Sequence, residues 1–134
     1  MTKKLITITV SILLFIIVFL SAYFILTLPK NKGDFSVDSF AEEIELFAYQ
    51  GDTKHGELTD YKCAAKIGKA TIEDKFGKTS KGSVFEWMGC DVKYDKENAI
   101  YYIRTYHINP RMKGGAYDVL IKADGTVIAV WGEK

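Results

Sequence analysis

The 134-residue sequence is poor in the residues that build metal sites and disulfide frameworks. It holds only two Cys and two His. The four soft metal ligands are, in chain order, His55, Cys63, Cys90 and His107. None of them stands at a paired spacing such as C-x-x-C or H-x-x-x-H, which zinc sites use. We therefore expect neither a metal site nor any other cofactor.

The sequence also lacks an excess of charge, because its net charge is only +1. Four of the 18 basic residues precede Asp34, whereas all 17 acidic residues stand at Asp34 or later. The chain from Asp34 onward therefore carries a net charge of −3. A domain that binds nucleic acid needs a basic field to neutralise phosphates. The charge distribution argues against nucleic acid as a partner.

One long apolar run is present, from Leu5 to Leu28, with no charge among its 24 residues. As a helix it would span about 36 Å, enough to cross a bilayer core of roughly 30 Å. The alternative is a cleavable signal peptide, whose apolar region is normally about 7–15 residues long. The small pair Ser21-Ala22 is followed by further apolar residues, which favours an uncleaved anchor. We expect a single-pass membrane protein. Lys3, Lys4 and the α-amino group precede the run, and Lys30 and Lys32 follow it, so the positive-inside rule gives only a narrow majority for a cytoplasmic N-terminus. We expect the C-terminal domain outside the cytoplasm.

The hydrophobic pattern divides the chain into four parts. These are a tail at 1–4, a transmembrane anchor at 5–28, a linker at 29–37 and a small α+β domain at 38–134. In the domain, two segments with helical periodicity precede the strands. The first helix is predicted from one apolar face, formed by Phe40, Ile44, Phe47 and Ala48. The second runs from about Asp60 to Phe76, with Thr59 as its candidate N-cap.

Beyond the second helix the period changes to that of β-strands. Four strands are predicted at Val84–Tyr94, Ala99–Ile108, Ala116–Ala123 and Thr126–Trp131. The pair Asp124-Gly125 between the last two is a strong hairpin signal. The expected fold class is α+β, with an N-terminal transmembrane helix and then two helices packed on a curved antiparallel meander of about four strands.

Cys63 is the one candidate nucleophile, because a thiolate is stabilised in the first turn of a helix. His107 on a later strand would be its base, and Asp91 would orient that His. The residues around Cys63, from Asp60 to Ala65, match no peptidase motif. The alternatives are a small packed Cys or a disulfide between Cys63 and Cys90, which an extracytoplasmic domain would permit. We expect no enzymatic activity and no small-molecule substrate.

The aromatic residues of the strands point to a protein-binding face. Strand alternation puts Phe85 and Trp87 on one side, and it also groups Tyr102, Arg104 and Tyr106. Asp118 and Lys122 mark a solvent-facing side of the third predicted strand, with Leu120 between them. A face of this composition is typical of a binding hot spot. The alternative is a second sheet face that the first helix covers. The predicted partner-binding residues are Phe85, Trp87, Tyr102, Arg104, Tyr106 and Leu120.

The C-terminal stretch from Lys113 to Trp131, KGGAYDVLIKADGTVIAVW, has a Gly-Gly entry, an aliphatic strand and a Lys-x-Asp-Gly-x-Val turn. It resembles a family of bacterial immunity proteins with a fold like that of nuclear transport factor two. Members of this family accompany Rhs-type and other polymorphic toxins. The helix from Cys63 to Phe76, ended by Gly77, and the aromatic strand at Ile100–Ile103 also resemble that family. The similarity covers roughly Asp60 to Trp131.

The resemblance implies that the protein binds and neutralises a cognate toxin by steric occlusion. The family offers no catalytic residues to transfer to this chain. The membrane anchor departs from the family pattern and suggests that the toxin is met outside the cytoplasm. Extracytoplasmic PepSY-type domains end in a similar hairpin. The alternative function is therefore a membrane-anchored regulatory or inhibitor module of the PepSY kind.

Overall fold

A computed structural model describes residues 2–49, 56–76, 88–107 and 116–133 of the chain. Within this part the fold is α+β, as predicted, with helices preceding the last four strands. The elements are α1 (Lys3–Thr27), β1 (Pro29–Asp34), a 3-10 helix (Val37–Phe40), α2 (Ala41–Leu46), α3 (Tyr61–Phe76), β2 (Met88–Asp95), β3 (Ile100–His107), β4 (Tyr117–Lys122) and β5 (Val127–Gly132).

Helix α1 coincides with the apolar run and has no buried residue. Three of its hydroxyl groups are satisfied within the helix, because Thr7, Thr9 and Ser11 each donate to the carbonyl four residues earlier. Such internal bonds remove the need for water around these hydroxyl groups. The helix is long and apolar enough to span a membrane.

Strand β1 corrects the predicted linker at 29–37. Pro29–Asp34 pairs in parallel with β2, with Pro29 opposite Cys90 and Asp34 opposite Tyr94. Its side chains are almost all exposed, so the sequence carries no alternating apolar signal. Pairing with β2 supplies backbone partners that a free linker would lack. The sheet therefore has five described strands and is mixed, rather than a meander of four.

Strands β2 to β5 form the predicted antiparallel meander, and the sheet order is β1-β2-β3-β4-β5. One row of paired residues crosses all five strands near the point where the chain leaves α1, and we call this end of the strands the anchor end. The other end of the strands carries the β2–β3 and β4–β5 turns, and we call it the hairpin end. The row at the anchor end is Pro29, Cys90, Thr105, Tyr117 and Gly132.

Helix α3 covers one face of the sheet and forms the larger core. Asp60 caps the helix, because its carboxylate accepts a 2.8 Å hydrogen bond from the Cys63 amide. Asp60 therefore takes the role predicted for Thr59. A Cβ on Gly68 would lie 3.0 Å from Ile103, so the helix backbone lies close against β3. Buried residues of this core include Ala64, Ala65, Ile72, Cys90, Val92, Ile103, Val119, Ile121 and Val130.

Residues 35–49, which we call the strap, cross the other face of the sheet. Phe35, Val37, Phe40 and Ile44 pack there against a second core, formed by Ile100, Tyr102, Leu120, Ala129 and Trp131. The strap is a 3-10 turn followed by a six-residue helix, not the single longer helix predicted.

The end of the strap pairs with the outer edge of β5. Phe47 and Ala48, which were expected on the apolar face of a helix, follow the end of α2 at Leu46. The Phe47 carbonyl accepts from the Val130 amide at 3.3 Å, and Ala48 forms a β-bridge with Ala129. An edge strand has unpaired backbone groups, and this short pairing satisfies part of them.

Candidate protein-binding surface

The structure places the described members of the predicted site on one face of the sheet. Tyr102 is opposite Leu120, and Arg104 is opposite Asp118. Tyr106 follows on the same side of β3 by strand alternation. Phe85 and Trp87 lie outside the described residues. The grouping by alternation is therefore confirmed for Tyr102, Arg104, Tyr106 and Leu120.

The prediction that this face is exposed is wrong for Tyr102 and Leu120. Tyr102 is 7% exposed and Leu120 is fully buried. The ring of Phe40 lies 4.6 Å from that of Tyr102, and the ring of Phe35 lies 5.7 Å from it. The apolar side chains of the strap need a surface to bury against, and this face supplies it. The structure thus supports the alternative, a second face covered by the first helical segment.

Part of the face stays accessible beside the strap. The side chain of Arg104 is 37% exposed and that of Glu133 is 42% exposed. Tyr106 is half-buried. Phe47 stacks on Trp131 at 6.2 Å and borders this region, and Leu46 beside it is 65% exposed. We call this surface the open strip; its members are Leu46, Phe47, Arg104, Tyr106 and Glu133.

Arg104 is held in one geometry within the open strip. Its two terminal nitrogens donate to the two carboxylate oxygens of Glu133, each at 2.6 Å. This pairing raises the pKa of Arg104, so the group stays charged. A paired, planar guanidinium is ordered before a partner arrives, which lowers the entropy cost of binding.

Asp118 lies beneath Arg104 and is fully buried. Its Oδ1 accepts a 2.5 Å hydrogen bond from the Tyr102 hydroxyl and lies 3.7 Å from Arg104 Nη1. Its Oδ2 has no hydrogen-bond partner within the described part of the chain. Desolvation raises the pKa of Asp118 to about 6, although Tyr102 and Arg104 act in the opposite direction. The expectation that Asp118 faces solvent is therefore wrong.

Tyr106 closes the anchor end of the open strip. Its hydroxyl donates a 3.2 Å hydrogen bond to the Asp91 carboxylate. Burial raises the pKa of Tyr106 to about 12. A Cβ at Gly89 would lie 2.5 Å from the Tyr106 ring, so only Gly leaves space for the ring in this position. The members of the open strip that the predicted site lacks are Leu46, Phe47 and Glu133, which lie outside the strands predicted to form it. Asp118 was named in the sequence but was expected to face solvent, and its register opposite Arg104 is what brings it beneath the strip.

The structure does not bring the Cys63, His107 and Asp91 constellation together. Cys63 lies in the first turn of α3, where its amide donates to Asp60. This N-terminal end of α3 lies at the hairpin end of the sheet, because the Leu58 amide just before it donates to the Ala123 carbonyl. His107 is the last residue of β3, at the anchor end. The Asp91 carboxylate contacts Tyr106, on the face opposite α3. Cys63 and Cys90 are both free thiols in this structure.

Among the described residues, no group of three or more His, Cys, Asp or Glu side chains is placed to hold a metal ion. His55 lies outside this part of the chain. An open depression of about 470 Å³ is found at the hairpin end. Its lining residues are Glu57, Leu58, Asn98, Ala99, Lys122, Ala123 and Asp124.

No family model matches the chain, and no curated protein or solved structure matches it either.

Proposed function

We propose that this chain is a membrane-anchored immunity protein that binds a cognate polymorphic toxin outside the cytoplasm and neutralises it by steric occlusion. The observation that carries the proposal is the resemblance of Asp60 to Trp131 to that family. The described segments that carry this resemblance, α3 and β3 to β5, form one packed unit around Ile72 and Ile103.

The open strip is the surface that we assign to the toxin. It combines Arg104, Tyr106 and Phe47, which are residue types that supply much of the energy at binding hot spots. Arg104 is already ordered by Glu133. Tyr102 and Leu120 support this surface from below and are not assigned direct contacts. Phe85 and Trp87 stay a prediction, as members of the same face.

Blocking a toxin requires a sizeable interface, about 1,200–2,000 Å² in total for a standard complex. The open strip has five residues, whereas one side of a standard interface has about 20–30. We therefore expect the toxin also to contact the outer surface of α2, which carries exposed Glu42 and Glu45. Carboxylates at the rim would steer a basic toxin surface and make association depend on salt.

A protection assay with the neighbouring toxin gene tests the proposal. The full chain, expressed in sensitive cells, should preserve growth when the product of the adjacent toxin gene reaches the periplasm or cell surface. Leu46→Ser and Tyr106→Ala should each weaken protection at equal protein abundance. Lys66→Ala, on the exposed side of α3, is the matched control and should protect like the wild type. If the wild type protects against no neighbouring gene product, the immunity function is refuted.

A further inference from the structure

The junction between α1 and β1 is unusually short. The last helical hydrogen bond runs from the Leu28 amide to the Phe24 carbonyl at 3.1 Å. Pro29, the next residue, already pairs with Cys90 in the sheet. One residue spans at most about 3.6 Å. The anchor end of the sheet therefore begins within one residue of the helix end, with no flexible tether between them.

The sequence places this junction at the surface of the membrane. The apolar run ends at Leu28, and Lys30 and Lys32 follow directly. Basic side chains of this kind lie at the membrane–water boundary, with their charged ends among the lipid headgroups. Pro29 belongs to the row of the anchor end. The anchor end of the sheet therefore lies at the level of the lipid headgroups.

An aromatic pair, exposed Phe76 and half-buried Tyr117, lies at the same end of the sheet, on its α3 side. Phe76 is 41% exposed, and its ring lies 4.7 Å from that of Tyr117. Tyr117 is three strands from Pro29 in the same row, a lateral distance of roughly 14 Å. Lys75 lies 5.7 Å from the Phe76 ring and donates to the Val130 carbonyl at 2.7 Å. Aromatic and basic side chains together form the belts that face lipid headgroups.

We propose that the anchor end of the domain rests on the bilayer surface through Phe76 and Tyr117, which contact the lipid headgroup layer. The short junction prevents the domain from moving far from the membrane, and the aromatic pair supplies a surface suited to the interface. This docking leaves the hairpin end farthest from the membrane. The open strip lies on the opposite face of the sheet from Phe76 and Tyr117 and takes no part in the contact with lipid. The proposal rests on retention of α1 as an anchor and is independent of the identity of any toxin.

Nuclear magnetic resonance of the full chain in lipid nanodiscs tests this contact. A fraction of the lipids carries a nitroxide on the headgroup, which broadens nearby amide signals. The Phe76, Tyr117 and Gly132 amides should broaden at least about fivefold more than those of Asn98 and Gly125, because the strands separate the two ends by roughly 20 Å. Equal broadening at both ends, or greater broadening at the hairpin end, would overturn the proposal.

A variant distinguishes lipid contact from simple proximity. Phe76→Ser should reduce the broadening of the Tyr117 and Gly132 amides to about half, since the aromatic contact with the headgroups is removed. Lys62→Ser, an exposed position at the other end of α3, is the matched control and should leave it unchanged. If Phe76→Ser behaves like this control, the aromatic contact is refuted.

The state of the anchor is measured separately, by extraction of the membranes with alkaline carbonate. Release of the chain would refute both the anchor and this proposal. Retention together with uniform broadening would refute only the proposed contact, whereas loss of toxin protection alone would leave the contact intact.

Discussion

Replacement of Asp118 by Asn examines the buried carboxyl beneath the open strip. The groups that face Asp118 are Tyr102, Arg104 and Glu133. Desolvation is the largest influence and raises the pKa of Asp118, and Glu133 raises it further. Tyr102 and Arg104 lower it but do not compensate, so the pKa is about 6 instead of the ordinary 3.8. The folded state therefore binds the proton more tightly than the unfolded state. The side chain of Asn is neutral, like the protonated carboxyl that the folded state favours.

The magnitude follows from the linkage between proton binding and folding. A pKa raised by about two units corresponds to about 3 kcal/mol of stability, which the wild type loses as pH rises from about 4 to about 6. Below pH 4 the carboxyl is protonated in both the folded and the unfolded state, and Asp118 no longer lowers the stability of the wild type. Asp118→Asn should consequently be more stable than the wild type at pH 8, by up to about 3 kcal/mol. The two proteins should converge near pH 4.

Urea denaturation of the full chain in detergent micelles measures this difference. Tryptophan emission is a suitable signal, because Trp131 is only 6% exposed and packs against Phe40. The free energy of unfolding is compared at about pH 4 and about pH 8. Glu42→Gln, at an exposed position of α2, is the control and should change stability by less than about 0.5 kcal/mol at either pH.

A single result would refute the argument. If Asp118→Asn is less stable than the wild type at pH 8, and both lose stability equally between pH 4 and pH 6, then Tyr102 and Arg104 stabilise the carboxylate more than burial penalises it.

Three further outcomes are expected. Asp60→Ala should lower the free energy of unfolding by about 0.5–2 kcal/mol in urea denaturation, because the Cys63 amide loses its capping carboxylate; no change would contradict the capping role. Gly68→Val should cost about 1–3 kcal/mol by the same measurement, because its side chain would collide with Ile103; an unchanged midpoint would contradict this close packing. Maleimide labelling followed by mass spectrometry should modify half-buried Cys63 well before Cys90, since Cys90 is fully buried and burial raises its pKa to about 11; equal rates would contradict the burial of Cys90.

Periodicity predicted the parts of the fold that have one apolar face. Helix α3 and the strands of the meander were predicted within a few residues wherever they are described, because Ile72 and Ile103 each belong to a repeating stripe. The Asp124-Gly125 turn follows from the backbone preference of Gly, since Gly125 has φ +90°. These features are local, and a single sequence contains the information that they need.

The parts that were missed depend on contacts between distant segments. Strand β1 is polar, and only its pairing with β2 makes it a strand. The alternation of β3 grouped Tyr102 with Arg104 correctly, but alternation does not reveal which face another segment covers. Phe35 is 67 residues before Tyr102, and that long-range contact decides the burial of the predicted site. Asp118 is buried beneath Tyr102 and Arg104, and strand alternation does not reveal this cover either.

The central claim is that the folded domain blocks a toxin by binding it, and titration calorimetry tests this directly. The full chain in nanodiscs is titrated with the purified product of the gene adjacent to its own. We predict a one-to-one complex with a Kd in the nanomolar range, as for other complexes of standard size. Tyr106→Ala should weaken it at least about fivefold, a loss of more than 1 kcal/mol. Absence of heat and of co-purification, for a chain shown by its spectrum to be folded, would contradict the account.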